Sequence, residues 1–234
     1  MEKNKKRVFT GTVAMLVILF GLLRIAIFTG YHMVTPFLPE IARNLDTTIV
    51  VIGLAISIRS AMGFLGPVWG GIIDLFGKKN SLLIALLTFA ASYAAIYFFP
   101  SFPCFVVALP ISYAATLTFD SAMYSYLSEM IPYEGRGRMT AVLEAAYALG
   151  LPVAGVLMEN FGWAVPFVLM AGIAVVFAIA LGFILPKEGE KRFGIDATVS
   201  HEMQENKAEK GSYFHRLSLV LKDKNALAAL LTGS

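Results

Sequence analysis

The chain has 234 residues, of which 57% are hydrophobic and 15% charged, with a net charge of +3 and a mean hydropathy of +0.71. A soluble domain carries about a quarter of its residues as charges, so water is not the main solvent of this chain. One cysteine, Cys104, excludes an internal disulfide and a cysteine-built metal site.

At the start, a basic head (Lys3, Lys5, Lys6, Arg7) precedes an apolar run. That run is longer than the roughly 7–15 residues of a signal-peptide core, and no small-residue cleavage site closes it. It reads as an uncleaved first membrane helix. A spanning helix needs about 20 mostly apolar residues, and six segments qualify: 8–38, 48–72, 80–99, 103–128, 138–159 and 163–185. The breaks between them are a polar stretch at 42–46, a charged stretch at 74–80, a proline-bounded turn at 100–103, a charged stretch at 132–138 and a short turn at 159–162. The chain therefore predicts an all-α membrane protein of six transmembrane helices over residues 1–185. Residues 186–216 are charged with both signs and poor in apolar side chains, the composition of a solvated linker. Residues 217–224 fit a short helix on the membrane surface. Residues 226–232 turn apolar again but are too few to span, so 217–234 read as the start of a truncated seventh helix.

Lysine and arginine mark the cytoplasmic side of a membrane protein. Four sit in the N-terminal head, Lys78 and Lys79 follow the second span, Arg136 and Arg138 follow the fourth, and eight follow the sixth. The opposite side carries Arg43. The N-terminus and the segment after the sixth span are thus expected in the cytoplasm, in a cell inner (plasma) membrane.

Charges within the spans cost several kcal/mol at the bilayer centre on insertion scales, so each is a candidate for function. Arg24 lies in the first span, Arg59 in the second, Asp120 in the fourth and Glu144 in the fifth. In one reading the two arginines face a cavity and attract an anionic group, while Asp120 or Glu144 carries a proton coupled to solute movement. In the other, these charges are structural ion pairs, for instance Arg59 with Asp120. His32, beside Tyr31, reads as a histidine hydrogen-bonded between helices or as a substrate or proton group. Tyr113, Tyr124, Tyr126 and Tyr147 lie at membrane depth. Tyr93, Tyr97, Phe98, Phe99, Trp163 and Phe167 fit an interfacial aromatic belt.

The stretch from Gly70 to Lys79 reads Gly-Gly-Ile-Ile-Asp-Leu-Phe-Gly-Lys-Lys. It resembles the Gly-x-x-x-Asp-Arg-x-Gly-Arg-Arg signature that the major facilitator superfamily carries between its second and third helices. Gly70, Asp74, Gly77, Lys78 and Lys79 match in type, and Leu75 stands where the pattern has a basic residue. Pro36 to Pro39, Pro132 to Arg138, and Gly162-Trp163 with Pro166-Phe167 are similar to the same family at corresponding places. In Gly150 to Gly155, Pro152 and Gly155 match a fifth-helix pattern of its exporters. The resemblance implies the N-terminal half-bundle of a twelve-helix secondary transporter, built from two three-helix repeats and followed by the central linker. It further implies alternating access, with a second six-helix half, or a homodimer partner, completing the path for a small-molecule substrate. Gly66 with Gly70, and Ala146, Gly150 and Ala154, have the small-residue spacing that lets helices approach closely. They suit either docking to that missing half or packing within this one.

No enzyme signature is present. His201-Glu202-Met203-Gln204-Glu205 lacks the second histidine of a zinc protease helix, and there is no nucleophile elbow or phosphate-binding loop. No metal, cofactor or nucleic acid is expected, and the lipid bilayer is the evident partner. A non-transporting membrane scaffold and an inert truncated product remain as rival readings.

Overall fold

A computed structural model describes residues 11–65, 71, 73, 75–131, 133–185, 191–192 and 195–196. The basic head, Gly66, Gly70, Asp74, most of the linker and all of 217–234 lie outside the described residues. The elements, in order, are α1 (Gly11–His32), α2 (Leu38–Asn44), α3 (Ile49–Ala61) continued by a 3₁₀ turn (Met62–Leu65), α4 (Lys78–Phe98), α5 (Phe102–Met130), α6 (Tyr133–Phe161) and α7 (Val165–Ile184). Lys191–Arg192 and Ile195–Asp196 form a two-residue antiparallel pair within the segment read as linker.

Five of these helices are long and apolar enough to cross a membrane. A sixth candidate is the bent pair of α2 with α3 and its 3₁₀ turn, Leu38–Asn44 and Ile49–Leu65, which passes the same test when taken together. The first span is shorter than expected. It ends at His32 rather than 38, because Pro36 has no N–H for the carbonyl of His32 and the chain turns there. Part of the stretch read as a polar loop then becomes α2, with a proline in its first turn and a 111° bend between it and the helix that follows. Thr48 caps α3 by accepting from the Val51 N–H. The charged stretch 132–138 is not a loop either. From Tyr133 onward it is the first turns of α6.

The packing follows a twofold pattern. If α1, α3 and α4 form one repeat and α5, α6 and α7 the other, the first helix of each packs on the second helix of the other (α1 on α6, α5 on α3), and the third helices pack together (α4 on α7). Hydrocarbon solvates leucine as well as the protein does, so close packing rather than expulsion of water holds such a bundle. Phe20, Phe89, Phe105, Phe119 and Phe167 are fully buried at its centre. Two residues assigned from sequence to the interfacial belt belong to this core: Tyr93 and Phe167 are buried, with ring centroids 5.2 Å apart. Phe98 and Phe99 are exposed at the end of α4.

Glycine permits the closest contact. A Cβ on Gly150 would stand 2.8 Å from the backbone carbon of Phe28 and 2.8 Å from the amide nitrogen of Thr29. The stripe of Ala146, Gly150 and Ala154 is buried, and at Gly150 it is packed on α1 inside this bundle. Pro152 is exposed and a Cβ on Gly155 would meet nothing within 4 Å.

Candidate functional site: a buried charge and aromatic cluster

Arg24, Phe28, Tyr31 and His32 recur along α1 at spacings of four, three and one, which places them on one side of the helix. Tyr113, Asp120 and Tyr124 recur at seven and four along α5. Together with Arg59 from α3 and Glu144 and Tyr147 from α6, they form two adjoining groups.

The first group centres on Arg24, which is buried. Its Nη1 donates to the hydroxyl of Tyr124 at 2.7 Å and to Oε1 of Glu144 at 3.0 Å. The Tyr124 hydroxyl donates to the same carboxylate oxygen at 2.8 Å. On the other edge, Nε stands 3.4 Å from Oδ1 of Asp120 in an ion pair without hydrogen-bond alignment. The rings of Phe28, Tyr124 and Tyr147 surround the guanidinium, with centroids 5.2, 5.3 and 5.6 Å from Cζ. Side-chain exposure rises from 5% at Arg24 through 22% at Asp120 to 53% at Glu144, so the cluster opens toward α6. One positive charge faces two carboxylates. With all three ionised the group carries a net negative charge, and one added proton makes it neutral.

The second group centres on Arg59, also buried. Its Cζ lies 4.4 Å from the ring centroid of Tyr31 and 5.9 Å from that of Tyr113. Its Nη1 makes one long hydrogen bond, 3.4 Å, to the carbonyl of Tyr31, and its Nε has no hydrogen-bond partner. Among the described residues no carboxylate pairs with it. Asp120, offered from sequence as a possible partner for Arg59, is held by Arg24 instead. His32 makes ring contacts with Tyr31, Tyr147 and Phe28 at centroid distances of 5.2, 5.1 and 6.4 Å, where an interhelical hydrogen bond was one expectation. Tyr147 and Phe28, 4.4 Å apart, join the two groups. Phe28 is the member that sequence reading missed; its spacing of four from both Arg24 and His32 is the signal that would have found it.

Depth explains why the charges meet. Asp120 is ten residues from the end of α5 and Glu144 eleven from the start of α6. At 1.5 Å per residue each lies about 15 Å from that helix end, in helices of 29 residues, so the two carboxylates come to a similar depth.

The basic residues after α3 and α5 act at helix ends. Gly77 adopts φ 77°, a conformation that favours glycine. Its N–H bonds to the carbonyl of Ile73 at 2.9 Å and its carbonyl accepts from Ser81 at 3.0 Å, so one turn closes and α4 begins. Lys78 forms an ion pair with Glu129 in the last turn of α5. Lys79 donates to the carbonyls of Gly182 and Leu185 at the end of α7. Arg136 donates to the carbonyls of Ser128 at 2.8 Å and Ile131 at 3.4 Å. Cationic side chains here satisfy carbonyls that have no partner within their own helix. No group of three potential metal-ligating side chains occurs among the described residues.

The family model of the Major Facilitator Superfamily matches residues 10–234. The chain belongs to the major facilitator superfamily. It is 28% identical over 169 residues to the tetracycline resistance protein, class C, of Escherichia coli, covering 69% of this chain and 42% of that protein. It is 27% identical over 135 residues to the niacin transporter NiaP of Acinetobacter baylyi, covering 52% and 29%. It is 26% identical over 129 residues to the uncharacterized MFS-type transporter YwfA of Bacillus subtilis, covering 55% and 31%. The chain thus spans less than half the length of these curated relatives. Among solved structures, the POT family transporter PepTSo superposes with a TM-score of 0.62 over 78% of this chain and 40% of that one, at 17% identity. That likeness is one of fold. As a superfamily member the chain is a multi-pass membrane protein, and the twofold pairing of its helices agrees with a half-bundle of two three-helix repeats.

Proposed function

We propose that this chain is the N-terminal half of a secondary transporter that moves a small organic solute across the inner membrane by alternating access, driven by protons. The observation that carries the reading is the Arg24 cluster: one guanidinium, two carboxylates and a tyrosine, drawn together from α1, α5 and α6 inside apolar helices. Charges so placed are costly and are retained where they serve transport. Three helices converge on one site whose net charge goes from negative to neutral with a single added proton, and whose exposure rises toward Glu144 on α6. Relatives named for tetracycline resistance and for niacin transport support a solute of that size. Asp120 and Glu144 share the proton, and Arg24, paired with both carboxylates, favours its release.

The test is solute uptake into proteoliposomes containing the complete transporter under an imposed proton gradient. Uptake saturates with solute and collapses when a protonophore is added. Uptake indifferent to the gradient removes the coupling from this account, and binding without any flux favours a scaffold.

A further inference from the structure

We infer that Arg59, with the rings of Tyr31 and Tyr113, is a binding subsite for the carboxylate of a planar aromatic acid. The inference rests on the transporter reading above and gives its substrate a chemical class. Arg24 and Arg59 are both buried to the same degree, 4% exposed, but their charges are in opposite situations. Arg24 is surrounded by two carboxylates and a hydroxyl. Arg59 has a single long hydrogen bond to a backbone carbonyl and a bare Nε.

A guanidinium offers five N–H donors, and a buried charge without a counter-charge costs several kcal/mol. Aromatic faces offset part of that cost. They leave the hydrogen-bonding edge unsatisfied, and a planar carboxylate fits that edge with two parallel hydrogen bonds. The nearest acidic group identified on α5, Asp120, is seven residues from Tyr113, about 10 Å along the axis, and is engaged by Arg24. Among the described residues no carboxylate answers this charge, and the carboxylate of a bound solute would.

The surroundings specify the rest of the ligand. Tyr31, Tyr113, His32 and Tyr147 are half-buried, and their rings adjoin in sequence: Tyr31 to Tyr113 at 5.5 Å, Tyr31 to His32 at 5.2 Å, His32 to Tyr147 at 5.1 Å. A flat ring attached to the carboxylate would lie against such faces, whereas a polyhydroxylated solute would find few hydrogen-bonding groups among them. The path from Arg59 along these rings ends at Phe28 and Tyr147, which flank Arg24. The anion subsite and the proton site are thus separate but touch through two rings.

The experiment uses the complete protein in lipid nanodiscs and three probes of one shape: benzoate, neutral benzamide and cationic benzylamine. Thermal-unfolding midpoints are recorded against the concentration of each. Benzoate is expected to raise the midpoint in a saturable way and the other two are not. Arg59→Gln should weaken benzoate by roughly tenfold or more, as loss of one partner of a buried charge pair does, with Arg59→Lys intermediate because it keeps the charge and loses the fork. Size-exclusion profiles and the unliganded midpoint show whether each variant is folded. If Arg59→Gln does not fold, Tyr113→Leu replaces it, with the same weakening expected. Absence of a benzoate shift, a shift shared equally by benzamide or benzylamine, or benzoate binding unchanged in the folded variants overturns the subsite. Exchange of labelled benzoate across proteoliposomes separates the two claims. Binding without exchange leaves the subsite standing and defeats transport, while exchange of benzylamine that benzoate does not compete with leaves transport standing and defeats the subsite.

Discussion

The two buried arginines predict different mutational behaviour. Replacing Arg24 by Gln strands Asp120 and Glu144 beside each other, and breaking a buried pair in this way costs about 3–5 kcal/mol where both partners are dry. Glu144 is half exposed, so the lower end is expected, read as a fall in unfolding midpoint. A double-mutant cycle of Arg24→Gln and Glu144→Gln should return a coupling of about 0.5–3 kcal/mol, the range for contacting charged partners. A cycle of Arg59→Gln with Glu144→Gln should return close to zero. At Gly150 the prediction is steric. Gly150→Ala drives a methyl group into the backbone of Phe28 and Thr29, and overpacking of this kind costs about 1–3 kcal/mol. Gly155→Ala, with open space around it, should leave the midpoint unchanged. Four of the charged site residues were legible in the sequence because a charge in an apolar run stands out on composition alone. Which acid pairs with which base was not, since that depends on helix rotation and depth, and the apolar runs of α5 and α6 continue into charged residues that still belong to the helix.

At the scale of elements, composition exposed the long helices and prolines exposed several ends. The sequence cannot show that α6 begins before its arginines, because Arg136 and Arg138 look like loop residues until the end of α5 is seen to need donors. Arg136 is at once a helical residue of α6 and a cap for α5. Arg136→Ala and Lys79→Ala each leave two carbonyls at a helix end without their donor. Each should lower stability by about 1 kcal/mol, the usual net worth of such bonds, and speed amide hydrogen exchange in the last turn of α5 or α7 respectively. Equal exchange throughout the protein in both variants would mean that the caps act on the whole bundle and not on their own helix ends. The small-residue stripe of α6 shows the same limit. Its spacing announces a close contact, while the partner, α1, is supplied by the fold.

For the whole molecule, the positive residues of the chain predict that its N-terminus, Lys78 and Arg138 face the cytoplasm, and that Asp46 and Ser101 face outward. Cys104 is the single thiol of these 234 residues, so a background with Cys104→Ser and any cysteine outside them replaced allows one new cysteine at a time. A membrane-impermeant thiol reagent added to intact cells should label cysteines at 46 and 101 and spare those at 78 and 138; the reverse pattern inverts the topology. Proton coupling by the Arg24 cluster is read by comparing uphill accumulation with solute exchange in Asp120→Asn proteoliposomes. Exchange needs the solute path alone, whereas accumulation also needs the proton. If the cluster couples protons to solute movement, exchange persists while gradient-driven accumulation is lost. Accumulation that persists in both Asp120→Asn and Glu144→Gln would contradict it.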